Sequence, residues 1–165
     1  MGEQTIDNLM AAFAGESQAN RKYLAFAKQA EKEGKLNAAR MFRAAAEAET
    51  IHAHKELALA GKIGTTAENL AAAIEGETYE KTTMYPDFAD VAETEGKTAI
   101  AKLFRSIAVV EGIHADLFTE MLDKLETDSG ELVFYVCPVC GNVEIERPDA
   151  CRVCNVPGDK FIEVR

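Results

Sequence analysis

Tryptophan is absent from the 165 residues, and only four prolines occur, Pro86 and three beyond residue 137. So little proline leaves the first 126 positions free to form long helices. Positive charge is also short: 18 Lys and Arg stand against 28 Asp and Glu, a formal charge of −10. A surface of that sign repels phosphate backbones, which excludes nucleic acid as an expected partner. No apolar run is long enough to span a bilayer, so no membrane association is expected. The first residues, Met1-Gly2-Glu3-Gln4-Thr5-Ile6-Asp7, lack a basic segment followed by an apolar one. No secretion signal is read there, and a cytoplasmic protein is expected. The four cysteines all lie between 137 and 154; in a reducing compartment they are expected to be thiols or metal ligands, not disulfides.

Alanine, glutamate, lysine and leucine are abundant through residue 126. Their periodicity predicts helices near 4–33, 36–60, 66–95 and 98–126. Gly34 and Gly96 separate the members of two hairpins. Thr65 or Thr66 is the expected N-cap of the third helix, with Glu68 in its first turn. Pro86 falls inside that helix and should kink it or be accommodated locally. Beyond the bundle, 127–131 reads as a linker and 132–165 as a small β module, its first strand near Leu132–Val136.

The helical part repeats itself. Gly15-Glu16-Ser17 matches Gly76-Glu77-Thr78, Met41-Phe42-Arg43 matches Leu103-Phe104-Arg105, and Glu49-x-x-His52 matches Glu111-x-x-His114. The last helix carries a seam of Ile100, Phe104, Ile107, Glu111, His114, Phe118, Met121 and Leu125, apolar in every place but two. Glu16 interrupts a similar seam of Leu9, Phe13, Asn20, Tyr23 and Ala27. A carboxylate and an imidazole on an apolar seam need a strong partner, and a cation is the natural one. Four Glu and two His from two hairpins make the ligand set of a carboxylate-bridged two-metal bundle. Glu80, one turn past Glu77, adds a fifth carboxylate on one side only, since Ala19 stands at its counterpart. Carboxylate with some imidazole suits iron or manganese. His54 lies nearly opposite His52 and is not expected to be a ligand. Tyr23 and Tyr85 read equally well as donors to ligating carboxylates and as core aromatics.

Cys137-Pro138-Val139-Cys140-Gly141 and Cys151-Arg152-Val153-Cys154-Asn155 are two C-x-x-C knuckles. That spacing predicts a tetrathiolate metal site and leaves zinc and iron open. So short a module draws most of its folding energy from its metal.

With Ala-Gly-Glu16-Ser, Glu77-Thr-Tyr-Glu80, Met84-Tyr85-Pro86 and the Cys-Pro-x-Cys-Gly knuckle in this order, nearly the whole chain resembles the rubrerythrins. The resemblance implies a mainly α fold, a ferritin-like four-helix bundle followed by a small rubredoxin-like domain. It implies two iron ions, bridged by oxo and carboxylate groups, on Glu16, Glu49, His52, Glu77, Glu80, Glu111 and His114. Within that set Glu49 and Glu111 would bridge, and Glu80 and His52 would alternate on one iron. Tyr23 and Tyr85 match tyrosines beside that site. A third iron is implied on Cys137, Cys140, Cys151 and Cys154. Arg152 and Asn155 depart from the usual Pro and Gly, and Asn tolerates the left-handed turn required. The implied activity is reduction of hydrogen peroxide to water, with electrons from NAD(P)H through a separate reductase or a rubredoxin. Iron oxidation and storage is the alternative enzymatic reading, and a helical interaction module with a structural zinc ribbon the non-enzymatic one.

Helix lengths bear on assembly. In such a bundle the second and third helices run parallel, so their connection must cover about 34 Å at ~1.5 Å per residue. Residues 61–65 reach at most roughly 17 Å. A domain-swapped homodimer is therefore expected.

Overall fold

In the computed structural model, residues 2–127 and 130–165 are described. They fall into two compact units, Met1–Gly64 and Thr65–Arg165. The first is a hairpin of α1 (Glu3–Lys32) and α2 (Leu36–Leu59). Gly34, at φ +70°, makes the left-handed turn between them. Around it the Gly34 and Lys35 N–H groups satisfy the carbonyls of Glu31 and Ala30 at 2.9 and 2.8 Å. The hairpin buries small residues, Ala27, Ala30, Ala39, Ala46 and Ala53, which let the helices lie close. Larger apolar side chains on the same unit, Phe26, Met41, Ile51 and Leu59 among them, are exposed.

The second unit begins with the expected cap, at Thr65. Its hydroxyl accepts the Glu68 N–H, and the Glu68 carboxylate accepts the Thr65 N–H at 2.7 Å, a reciprocal capping box. The single helix expected over 66–95 is divided. α3 (Thr66–Tyr79) leads into a π-helical turn (Glu80–Met84), and α4 (Tyr85–Thr94) follows. Pro86 lies in the first turn of α4, where a missing N–H is harmless. The π-turn is what accommodates it. The turn also absorbs one inserted residue: Glu16 and Glu77 are 61 positions apart, but Tyr23 and Tyr85 are 62 apart. Downstream of the insertion the repeat is back in register. Tyr23, Phe26 and Phe42 form a cluster with centroids 6.4, 6.2 and 5.6 Å apart. Tyr85, Phe88 and Phe104 reproduce it at 6.4, 6.0 and 5.7 Å.

Gly96, at φ +72°, turns the chain into α5 (Thr98–Asp123). A 3-10 turn over Leu125–Thr127 ends the helical part. The predicted linker over 127–131 starts in this turn, and its residues 128 and 129 lie outside the described residues. The module beyond is a three-stranded antiparallel sheet in the order β2 (Val143–Glu144), β1 (Phe134–Val136), β3 (Ile162–Val164). Val136 pairs with Val143 on one side and Ile162 on the other. Its core is Cys137, Cys151 and Phe161, far too little apolar surface to hold a fold without a metal. Among the described residues no helix is long and apolar enough to cross a membrane.

Candidate metal centres

The structure brings together three groups of metal-ligating side chains, each with donor atoms within 4.8 Å of one another: Glu16, Glu49 and His52; Glu77, Glu111 and His114; and the four cysteines. In the first unit, α1 offers Glu16 and α2 offers Glu49 and His52. The His52 Nδ1 lies 3.0 Å from Glu49 Oε2 and 3.7 Å from Glu16 Oε1. In the second, α3 offers Glu77 and α5 the other two. Here His114 Nδ1 lies 2.8 Å from Glu111 Oε2 and 3.7 Å from Glu77 Oε1. The internal repeat is thus a repeat of geometry, down to the ring nitrogen that faces the carboxylates.

Each group is electrostatically unfinished. The carboxyl of Glu49, hydrogen-bonded to Glu16, raises Glu16 above the ordinary range; burial and the charges of Glu49 and Glu56 add to this, and His52 opposes it. Burial, then the charge of Glu111, does the same to Glu77. Glu80 sits in the π-turn, outside the three-donor group, and burial followed by the charge of Glu77 raises it too. A bound cation would oppose each of these rises by favouring the charged carboxylates. Two carboxylates and one imidazole per group fit a metal of the iron or manganese kind.

The two histidines are held differently. His114 Nε2 lies 3.1 Å from the carbonyl oxygen of Gly141. A carbonyl only accepts, so Nε2 carries the hydrogen, and Nδ1 is left as the lone-pair donor facing Glu77 and Glu111. His52 has no such contact at Nε2 among the described residues, and its side chain is 54% exposed against 21% for His114. Nearby, the Asn20 amide donates to the Ala46 carbonyl and to Thr50 Oγ1 at 2.7 and 2.8 Å, tying α1 to α2 beside Glu49. The repeat puts Lys81 and Gly112 in their places. A Cβ on Gly112 would stand 3.0 Å from the Lys81 stem, so the glycine leaves room for it.

Tyr23 and Tyr85 sit in the aromatic clusters, and among the described residues neither hydroxyl bonds a ligand carboxylate. Burial, followed by the charges of Glu80, Glu111 and Glu77, pushes the Tyr85 phenol up, which places it within the field of the site.

The cysteines are free thiols. Cys137 and Cys154 sulfurs are 3.5 Å apart and Cys140 and Cys151 sulfurs 3.6 Å. Four thiolates around one tetrahedral ion at ~2.3 Å want separations near ~3.8 Å, so the pocket fits. The knuckles are built alike: Gly141 and Asn155 N–H groups return to the carbonyls of Cys137 and Cys151 at 3.0 and 2.9 Å. Both residues are left-handed, at φ +83° and +61°, so the expected tolerance of Asn155 is met. Burial works against ionising Cys151, but the N–H groups of Cys154 and Val153 together with the Cys140 and Cys154 thiols bring it down to about 7. Arg152, the other departure, pairs with Glu144 of β2 at 3.0 Å and ties the second knuckle to the sheet. Sequence reasoning missed Glu144 in this role; nothing in its spacing marks it.

Two carboxylate–histidine groups on helical hairpins and a tetrathiolate site on a small β module define a non-haem metalloprotein with a thiolate metal site attached. The sequence model of the rubrerythrin family matches residues 7–122. A rubrerythrin of Porphyromonas gingivalis is 39% identical, over 97% of this chain and 90% of its own. A putative rubrerythrin of Methanocaldococcus jannaschii is 36% identical, over 99% and 93%. A fully reduced, all-ferrous nigerythrin structure superposes with a TM-score of 0.60 at 32% identity, over 99% of this chain and 88% of that one. The chain belongs to the rubrerythrin family. Its fold class is accordingly the ferritin-like four-helix bundle with a rubredoxin-like C-terminal module, and it carries the carboxylate and histidine residues of a di-iron site and the cysteines of a rubredoxin-like iron site.

Proposed function

We propose that the protein is a non-haem peroxidase that reduces hydrogen peroxide to water in the cytoplasm. The observation that carries this reading is the contact of His114 Nε2 with the Gly141 carbonyl. It joins the His114 imidazole directly to the first cysteine knuckle of the same chain, a short path for electrons from a thiolate iron inward and one a storage protein has no use for.

Glu16, Glu49, His52, Glu77, Glu80, Glu111 and His114 would hold the iron pair, with Glu49 and Glu111 bridging, and Cys137, Cys140, Cys151 and Cys154 the third iron. When bound, the ferrous pair supplies the two electrons that, with two protons, split the O–O bond into two waters. The chain's own residues set the stage for that step. Gly141 fixes the tautomer of His114 and leaves Nδ1 to the metal. In this reading His52, whose side chain is exposed, and Glu80 would be alternative ligands of one iron. Glu80 lies in a π-turn, a geometry that redirects side chains at functional sites. Tyr85 is held protonated by burial and by the field of three carboxylates, a hydrogen-bond donor beside them. Tyr23 holds the equivalent place in the other aromatic cluster. A rubredoxin, or a reductase using NAD(P)H, would deliver electrons to the cysteine site.

The active form in this reading is a domain-swapped homodimer. Only residues 60–65 separate α2 from α3, and the first unit keeps Phe26, Met41 and Ile51 exposed. A monomeric mass for the iron-loaded protein in native conditions would sink the swap.

The test of the activity is anaerobic single turnover. Reduced, iron-loaded protein is mixed with stoichiometric hydrogen peroxide, and the di-iron and thiolate-iron absorption bands are followed. Fast oxidation of the pair, then of the thiolate iron, with peroxide consumed, is expected. Slow oxidation by peroxide would overturn the reading in favour of iron oxidation, and a colourless zinc-filled cysteine site in favour of a structural role.

A further inference from the structure

The two halves match at Glu16 and Glu77, Glu49 and Glu111, and His52 and His114, but the seam differs one turn beyond the histidines. Glu49, His52 and Glu56 fall on one face of α2 at steps of three and four. Glu49 and Glu111, His52 and His114, and Glu56 and Phe118 are each 62 positions apart. Phe118 is an ordinary apolar seam residue and lines a cavity with Leu117, Met121 and Phe134. Glu56 is not. Its Oε2 is fully buried without a hydrogen-bond partner. Among the described residues no Lys or Arg pairs with it, and Glu16, raised chiefly by the hydrogen bond with Glu49, feels the charge of Glu56 as a lesser repulsion. An unpaired, buried carboxylate oxygen is costly where an aromatic ring would serve. A cation would fill the vacant lone pairs and offset the like charge of Glu16 together. Glu56 lies outside the group formed by Glu16, Glu49 and His52, so it neighbours that position instead of completing it.

We propose that Glu56 is a further carboxylate donor of the metal centre: together with Glu16 it receives an incoming ferrous ion one helical turn beyond His52, before Glu49 and His52 take it over. In this proposal Glu16 is the ligand common to both positions. The second hairpin, with Phe118 in this place, has no equivalent, so iron enters from the side of the first. The proposal rests on the reading of Glu16, Glu49 and His52 as iron ligands.

The test uses the full chain with its cysteine site filled and the helical site empty. Ferrous ion alone is added anaerobically, and both the loading rate and the final iron content are measured for E56Q, E56F and E56D. We expect loading about tenfold slower in all three, at an unchanged final content, in keeping with the loss of a supporting ligand. E56D separates holding from mere charge, because it keeps the charge and retracts the oxygens by one methylene. Wild-type loading in E56D, or in E56Q, overturns the proposal. E56F copies the other half; if it folds poorly, E56Q and E56D decide the matter alone. E47Q, at an exposed site on the same helix, should load normally. E49Q should lose final content, and if it does not, it is the reading of the ligands that has failed and not the role of Glu56.

Discussion

Replacing Gly158 with alanine should cost the cysteine module its metal. Gly158 is buried where the chain leaves the second knuckle, and its N–H donates to the Asp149 carbonyl at 2.8 Å. A Cβ there would stand 1.6 Å from the Pro148 carbonyl oxygen and 2.8 Å from its carbon. Both are backbone atoms, so no side chain can swing aside. To restore an ordinary contact the two strands of chain must part by well over an ångström. That breaks the Gly158–Asp149 bond and the bridge between Ala150 and Pro157. Two backbone hydrogen bonds at about 1 kcal/mol each and an overpacking cost of about 2 kcal/mol sum to about 4 kcal/mol. The module folds on its metal, so the loss appears as weaker binding, about a thousandfold at roughly 1.4 kcal/mol per decade. Competition with a chelator for zinc or ferrous ion at the cysteines measures it, and helical ellipticity should stay at the wild-type value. Affinity within about threefold of wild type would refute the steric reasoning.

Thr65→Ala removes the cap of α3 and should destabilise the protein by about 1 kcal/mol, a drop of roughly 2–4 °C in a thermal melt. The Thr65 N–H and hydroxyl hold the Glu68 carboxyl below the usual carboxylate range. Its contribution is therefore complete above the unfolded value near 4.5 and is lost as pH falls through the lower folded value, so melts of wild type and T65A should converge in acid. A gap that stays constant with pH would argue against the capping box. At φ +61°, Asn155→Ala should weaken metal retention by the cysteines by about 1 kcal/mol, whereas Asn155→Gly should equal or exceed wild type. Equal behaviour of the two variants would show that the left-handed turn carries no strain.

Much of this protein was legible in its sequence because the information is periodic or local. Helix ends at Lys32, Leu59 and Asp123 fall within a few residues of the expected bounds, since glycines with positive φ and a capping threonine act within one turn. The clustering of candidate ligands was legible for a similar reason. A Glu-x-x-His step fixes two donors on one helical face, and an internal repeat doubles it. The C-x-x-C pairs likewise define a tetrathiolate pocket by spacing alone. Other features depend on what lies across a gap from each residue. The π-turn over Glu80–Met84 replaced a continuous helix because one inserted residue had to be absorbed while Tyr85 and Phe88 kept their places against Phe104. The contact of His114 with Gly141 joins residues 27 apart, and the steric demand at Gly158 comes from Pro148; neither leaves a pattern in the chain. Glu56 looked like one glutamate among many, and only the burial of its Oε2 set it apart. The sequence by itself determined which elements form and which donors each one presents, because those follow from backbone periodicity. Tertiary structure alone decided how the donors are held, because hydrogen bonding, burial and steric fit arise only when distant segments meet.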